Sequence, residues 1–373
     1  MTDFSPHLRA GLAIRNYIRG VEEKLLDRKL LLLANLRRRG RIVYNQSGSK
    51  LEWQVPYRRV APQAMVPSDF YAVARQDRYV SAVLPWRQYM IGDGMYKMER
   101  LQARGRSQII NLWQRIGENI ERDLEAALCE ELFIDGSATG NEKRWHGLKT
   151  MFGPGTQTID ITASTTTARV ANNADPLYYP NKTYAGLSTE LGDKGGTWNG
   201  VWPVGTGSYE FDYFTPLEVN LDSTYFDATG SLSATIVKAI RYGITHSLTR
   251  REPGSNVEMV LLASDLFYTY QNTLDSKERI LVFDRGRADD RVYLGQREGI
   301  FQDGAIITYE YGVPASEGFG INLDRMSIYS MQDRLIDVSE PKYNDLQSFY
   351  YVVADMYGQI KFDSPKFFIH YRL

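Results

Sequence analysis

Residues 84–105 read LPWRQYMIGDGMYKMERLQARG and residues 107–136 read SQIINLWQRIGENIERDLEAALCEELFIDG, and the fold turns on how these neighbours are built. In the second stretch Leu112, Ile116, Ile120, Leu124, Leu128 and Leu132 recur every four residues, with Ile109 and Ala127 widening the stripe. That spacing predicts an amphipathic helix over residues 105–134, stopped by Asp135-Gly136. Some thirty residues at helical rise make a rod of about 45 Å, buried along one stripe. Gly117 inside it costs about 1 kcal/mol relative to alanine and marks a bend or a close approach. In the first stretch aromatic and aliphatic residues alternate with polar ones about Gly92, Asp93 and Gly94. This predicts a two-stranded excursion within residues 58–104. Arms of about 15–20 residues would reach about 50–65 Å. Because an isolated two-stranded ribbon is marginal in water, it is expected to lie on another subunit.

Upstream, Leu12, Ile14, Ile18, Val21, Leu25, Leu32 and Leu36 alternate with charges at roughly a helical period, predicting one long helix over residues 10–36. It runs into Arg37, Arg38, Arg39 and Arg41, cations that suit a helix C-terminus. Residues 1–60 hold thirteen Lys or Arg against five Asp or Glu, a net of +8, which leaves −9 on the remaining 313 residues. Such segregation points to an acidic partner for the arm, whether nucleic acid, a neighbouring subunit or an assembly factor, against the plain alternative of a solvated charge run. The segment RIVYNQSGSKLEWQV, residues 41–55, reads as two short strands paired as a hairpin around Asn45, Ser47, Gly48 and Ser49. Downstream, residues 145–230 are rich in Gly, Thr, Asn, Tyr and Pro, with strand-like pieces. Residues 234–248 then read as a helix, VEMVLLA as a buried strand and SDLFYTYQNTL as a helix beginning at Ser264. The strands GAIITYEYG, GINLDRMSIYS and QSFYYVVADMYGQIKF finish the chain, the last long enough to return to an earlier domain. The overall class is α+β.

The whole chain excludes more than it offers chemically. Its 373 residues carry 44 basic and 45 acidic side chains, so it is no cationic nucleic-acid binder and any DNA contact is local. A single cysteine, Cys129, forms no internal disulfide and no cysteine-based zinc site, and fits assembly in a reducing cytoplasm. Its place among the apolar helix positions makes it a small hydrophobe. No leader or membrane-spanning stretch is expected, because charges interrupt each apolar run. There is no G-x-S-x-G elbow, and Gly205-Thr206-Gly207 has Glu210 where a dinucleotide fingerprint needs a third glycine. His7, His146, His246 and His370 lie far apart, outside metal-ligand spacings, and read as ordinary surface or core residues. Asp212, Glu218, Asp222 and Asp227 offer a glycosidase-like carboxylate cluster, a pattern any strand-rich acidic chain supplies. The expectation is no catalytic residue, no metal and no cofactor.

The order of a basic arm helix, the excursion ending in LPWRQYMIGDGMYKMERLQARG, the helix SQIINLWQRIGENIERDLEAALCEELFIDG, the following HGLKTMF and then TYAGLSTELGDKGGTWNG resembles tailed-bacteriophage major capsid proteins of the Hong Kong 97 fold. The resemblance covers most of the chain. It implies an N-terminal arm over residues 1–57, an E-loop over 58–104, and a peripheral domain over 105–230 whose spine helix is 105–134. An axial domain over 231–340 and a terminal strand at 341–373 returning to the peripheral domain complete it.

The function it implies is structural, with no reaction: pentamers and hexamers of the chain closing an icosahedral head around double-stranded DNA. The implied partners are other copies, packaged DNA bound without sequence readout, a portal protein and a separate scaffolding or decoration protein, with no membrane. The implied location is the virion, after assembly in the host cytoplasm. On this reading Arg75, Arg78, Trp86, Arg87, Tyr89, Lys97 and Arg100 are expected at contacts between subunits, Trp and Arg being common interface anchors. Arg37, Arg38, Arg39 and Arg41 are expected to face DNA or scaffold. Some relatives join a lysine of the E-loop to a neighbour; Lys97 is the only lysine between residues 51 and 104, and it reads as an ordinary charged residue. Two alternatives remain: an encapsulin-type compartment shell around a cargo enzyme, and a strand-rich carbohydrate-active enzyme or binding module.

Overall fold

The computed structural model describes residues 31–60, 64–66, 75–102, 115–116, 119–120, 123–124, 126–152, 156–159, 166–168, 177–196, 209–249, 254, 256–275, 300–339 and 341–373. The helix expected over 10–36 is seen in its last part, Leu31–Arg38, with Leu31, Leu32, Leu33, Ala34 and Leu36 buried; residues 10–30 lie outside the described residues. The long helix is likewise seen in pieces. Residues 115–116, 119–120, 123–124 and 126–131 are helical, and Ile116, Ile120, Leu124, Leu128 and Leu132 are all buried, as the four-residue period requires. The helix stops at Glu131 and the chain turns, three residues before the expected end.

Two sheets organise the strands. The larger has nine strands in the order Ile300–Gln302, Ala305–Tyr309, Met259–Leu262, Glu317–Ile321, Ile369–Arg372, Leu217–Asn220, Leu177–Pro180, Thr156–Ile159 and Thr166–Ala168. The helices Leu232–Thr249 and Ser264–Asp275, both legible in the sequence, pack with it around Ile236, Ile240, Ile244, Leu266 and Tyr270. The smaller sheet is built on one long strand, Phe349–Phe362, with Met326–Ser330, Asp337–Val338, Lys342–Asn344 and Arg87–Tyr96 hydrogen-bonded along its edges. At the chain end Ile369–Arg372 runs parallel to Leu217–Asn220.

Two hairpins expected from the sequence are paired differently. Residues 42–43 and 50–56 do not pair with each other: Ile42–Val43 lies parallel to Ile328 and Tyr329, while Lys50–Pro56 runs antiparallel to Tyr79–Pro85. The two-stranded ribbon is therefore 50–56 with 79–85. The run around Gly92, Asp93 and Gly94 is not a turn but the middle of a straight strand, Arg87–Tyr96, paired from Phe349↔Tyr96 to Gly358↔Arg87. Its glycines serve close approach: a Cβ at Gly94 would overlap the Tyr350 carbonyl and stand 2.7 Å from the Phe349 ring. The sequence offered Gly-Asp-Gly as a turn signal, and tertiary pairing with a strand some 250 residues away overrode it.

The ribbon's support also differs from expectation. Leu51, Val55, Ala82 and Leu84 are buried on its inner face. The Trp53 indole N–H donates to the Asp363 carbonyl at 3.1 Å and Val83 N–H to the Ala185 carbonyl at 2.9 Å. Seven paired residues per strand, roughly 23 Å of ribbon, thus rest on their own chain, because alternate apolar side chains find a core there.

The glycine reading is testable by unfolding in urea. Gly94→Ala should lose about 1–3 kcal/mol through overpacking. Gly92→Ala, whose Cβ would lie 3.4 Å from the Val352 carbonyl oxygen, should stay within about 0.5 kcal/mol of wild type. Equal effects at the two positions would remove the close-approach argument.

Candidate intersubunit surface

Beyond the paired strands the ribbon continues as Tyr57 N–H donating to the Arg78 carbonyl, 2.9 Å. Here basic residues divide into two groups. Arg58 is ion-paired to Glu210, and the Arg59 guanidinium lies 4.3 Å from the Tyr209 ring centre, so these two tie the ribbon to the body. Arg75 and Arg78, just before strand 79–85, are exposed, and Val60, Met65, Val66 (63 % exposed) and Tyr79 (60 % exposed) are exposed as well. Guanidinium groups beside outward-facing apolar side chains form the mixture that protein interfaces use.

Trp86 and Tyr89, both half-buried, make contacts within their own chain. The Trp86 indole N–H donates to the Gly48 carbonyl at 2.9 Å and the ring packs against the main core, closing the turn at the ribbon's root. Tyr89 points inward. Its hydroxyl donates to Glu131, accepts the Trp145 N–H at 2.5 Å, and its ring meets Trp145 edge-on at 5.3 Å. Burial, then the hydrogen bond to Glu131, holds the phenol well above the ordinary tyrosine range. Arg144 completes the group with a 2.6 Å contact to Glu131. A sheet facing the long helix requires this: odd-numbered positions of strand 87–96 turn inward, so Tyr89 lands on the helix end whatever its chemistry. Arg87 is half-buried on the same face. Lys97, exposed, begins the helix Lys97–Gln102 with its ammonium 5.8 Å from the Tyr343 ring centre, and Arg100 falls on the same helix.

In the arm, Arg39 reaches Glu258 at 2.7 Å and Asp324 at 3.2 Å, and Arg41 reaches Asp324 at 3.3 Å. These carboxylates raise the Arg39 pKa despite its partial burial. Both arginines therefore spend charge on the body of their own chain. Arg38 is exposed and Arg37 half-buried.

Sequence reading passed over a second charged cluster. His370, on the terminal strand, is buried between Glu218 (3.4 Å) and Glu317 (3.3 Å); Arg372 touches Glu218 at 3.5 Å and Lys149 pairs with Glu317. The imidazole stacks on Phe319 at 4.9 Å. Glu218 thus belongs to this network, and Asp227 pairs with Lys238 at 3.3 Å. His146, half-buried, has its pKa lowered to about 4 by burial and then by Arg87. Neither histidine announces itself in sequence, since partners arrive from strands far apart in the chain. Among the described residues no group of His, Cys, Asp and Glu is arranged to hold a metal ion, and none of the helices is long and apolar enough to cross a membrane.

The His370 cluster predicts a pH window. Burial opposes the charged ring, but Glu218 and Glu317 outweigh it and raise His370 above 6.5. Its stabilisation is complete below that value and lost as pH climbs through the raised folded pKa. Glu317 is the converse: burial raises it, His370 and Lys149 outweigh burial, and its pKa falls below 4.5, so its contribution disappears in acid. Wild type should exceed His370→Gln in melting temperature most between these two values, and the gap should narrow as pH rises. A gap independent of pH from 6 to 10 would contradict it. Separately, Tyr89→Phe leaves the Trp145 backbone N–H without its acceptor and Glu131 with Arg144 but no phenol donor, and should cost about 1–3 kcal/mol of stability in thermal unfolding; an unchanged melting temperature would overturn its inward role.

No protein-family model matches the chain, and no curated protein matches its sequence. Solved structures do. The subunit of the cyanophage A-1(L) capsid asymmetric unit aligns over 92 % of this chain and 93 % of its own with TM-score 0.54 and 16 % identity. The capsid of the native GTA particle, computed with C5 symmetry, aligns over 91 % of this chain and 90 % of its own with TM-score 0.51 and 11 % identity. At such identities the likeness is one of fold: the chain has the α+β capsid fold of the Hong Kong 97 type.

Proposed function

We propose that this chain is the major capsid protein of a tailed bacteriophage, a structural protein without a reaction of its own. Its copies form pentamers and hexamers that close an icosahedral head around double-stranded DNA. The observation that carries this is the extent of the fold match, about nine-tenths of both chains for two capsid subunits. Closed shells need heterologous contacts that return on themselves, and an outward ribbon end with Arg75, Arg78, Val60, Met65 and Val66 supplies a surface for a sister copy. Lys97 and Arg100, at the far end of strand 87–96, are proposed as further contacts. The basic run Arg37, Arg38, Arg39 and Arg41 is proposed, by charge alone, as the part of the arm that faces phosphate or scaffold. Portal and scaffolding or decoration proteins are the remaining proposed partners, in a virion assembled in the host cytoplasm.

Electron microscopy of the expressed chain should show closed shells, tubes or capsomer rings. A protein that stays monomeric at every concentration and pH would overturn the proposal. Arg75→Glu with Arg78→Glu should abolish closed shells while leaving subunit stability within about 0.5 kcal/mol. Normal shells from that double variant would exclude the ribbon end from the contact.

A further inference from the structure

Glu310 follows the strand Ala305–Tyr309 and is 4 % exposed. One carboxyl oxygen accepts the Leu32 N–H of the arm helix at 3.4 Å; the other has no hydrogen-bond partner among the described residues. Leu31, Leu32, Leu33 and Leu36 are buried in the main core. Two residues on, Gly312 (φ +100°) packs so closely that a Cβ there would lie 2.7 Å from the Cys129 carbonyl carbon, at the end of the long helix. The turn 310–312 is thus wedged between the arm helix and the long helix.

Among the described residues none supplies a counter-charge to this carboxyl. Burial pushes the carboxyl up to about 8, against the opposing pull of the Leu32 N–H. On the arm helix the ionisable groups are Arg37 and Arg38, with Arg39 just beyond and held by Glu258 and Asp324. On the described end of the long helix there are the buried Cys129, the exposed Glu130 and Glu131, which is held by Tyr89 and Arg144; on the turn itself are Tyr309 and Tyr311, both exposed. A buried acid without a cation is costly to ionise and is relieved by leaving the core.

We propose that Glu310 is a protonation-controlled latch on the arm helix: with its carboxyl uncharged residues 31–38 stay docked on the body, and loss of that proton to solvent loosens them. The Arg39 and Arg41 ion pairs would keep the arm's exit tethered while the helix lets go. In a shell, the latch would set when the arm can meet a neighbouring copy; the latch itself does not depend on that reading. Undocking returns the carboxyl to water and its ordinary 4.5, against about 8 when docked. Between those values the docking equilibrium weakens about tenfold per pH unit, then levels off. Docking is tightest in acid.

Hydrogen exchange of the full chain, wild type against Glu310→Gln from pH 5 to 9, tests this, because the ratio of the two cancels the intrinsic pH dependence of exchange. Amides of residues 31–38 in wild type should lose protection relative to the variant by about tenfold per pH unit up to about pH 8 and then hold level. A ratio that does not change with pH overturns the latch. Should Glu310→Gln fail to fold, Glu310→Met serves as the non-titrating reference. Infrared spectra of wild type provide an independent reading: a protonated carboxyl band missing from Glu310→Met should persist at pH 7, and its absence at pH 6 would also overturn the proposal.

Discussion

The backbone ladder along Phe349–Phe362 is what the other elements depend on. Its first ten residues pair with strand 87–96, its last five with Met326–Ser330, and two shorter strands cover part of the other edge. A central strand with both edges occupied leaves few backbone groups to satisfy elsewhere. At its heart Gln359 is fully buried, and its amide donates to the Pro85 carbonyl at 3.0 Å while its oxygen accepts the His146 N–H at 3.1 Å. One side chain therefore braces the ribbon's root and the segment after the long helix against the same strand. The sequence distance it spans adds little cost, since each doubling of a closed loop costs only about 0.6 kcal/mol.

That brace explains how the ribbon divides. Near the strand, apolar side chains alternate inward onto Tyr184 and the Asp363 carbonyl, and the ribbon is stable on its own chain. Farther out Arg58 pairs with Glu210 and Arg59 lies over Tyr209, and beyond them the exposed side chains become a mixture of Arg, Val and Met. The same division holds in the arm: leucines bury, Arg39 and Arg41 pair at home, and Arg38 stays outside.

Buried charge is the other organising constraint. Tyr89–Glu131–Arg144 and His370–Glu218–Glu317–Lys149 are partnered on several sides, which is how such groups remain inside a core. Glu310 is built differently, with one long hydrogen bond and no cation among the described residues, and the contrast marks it as the labile member of the set.

Periodic local pattern was enough to read the long helix from Ile116 to Leu128, the helices near 232–249 and 264–275, the buried strand 259–262 and the long strand 349–362. In each, the residues that bury recur at the spacing of the element itself. Cys129 as a small buried hydrophobe was legible for the same reason. Pairing was not: Gly92-Asp93-Gly94 carries a turn's composition, and Ile42–Val43 and Lys50–Pro56 look like two halves of one hairpin. Which strand lies beside which is settled by backbone hydrogen bonds and by space for a Cβ, neither of which leaves a local signature. The roles of Tyr89, Glu131, His370 and Glu310 were decided by tertiary structure alone, because a side chain's charge state depends on neighbours that long-range packing delivers.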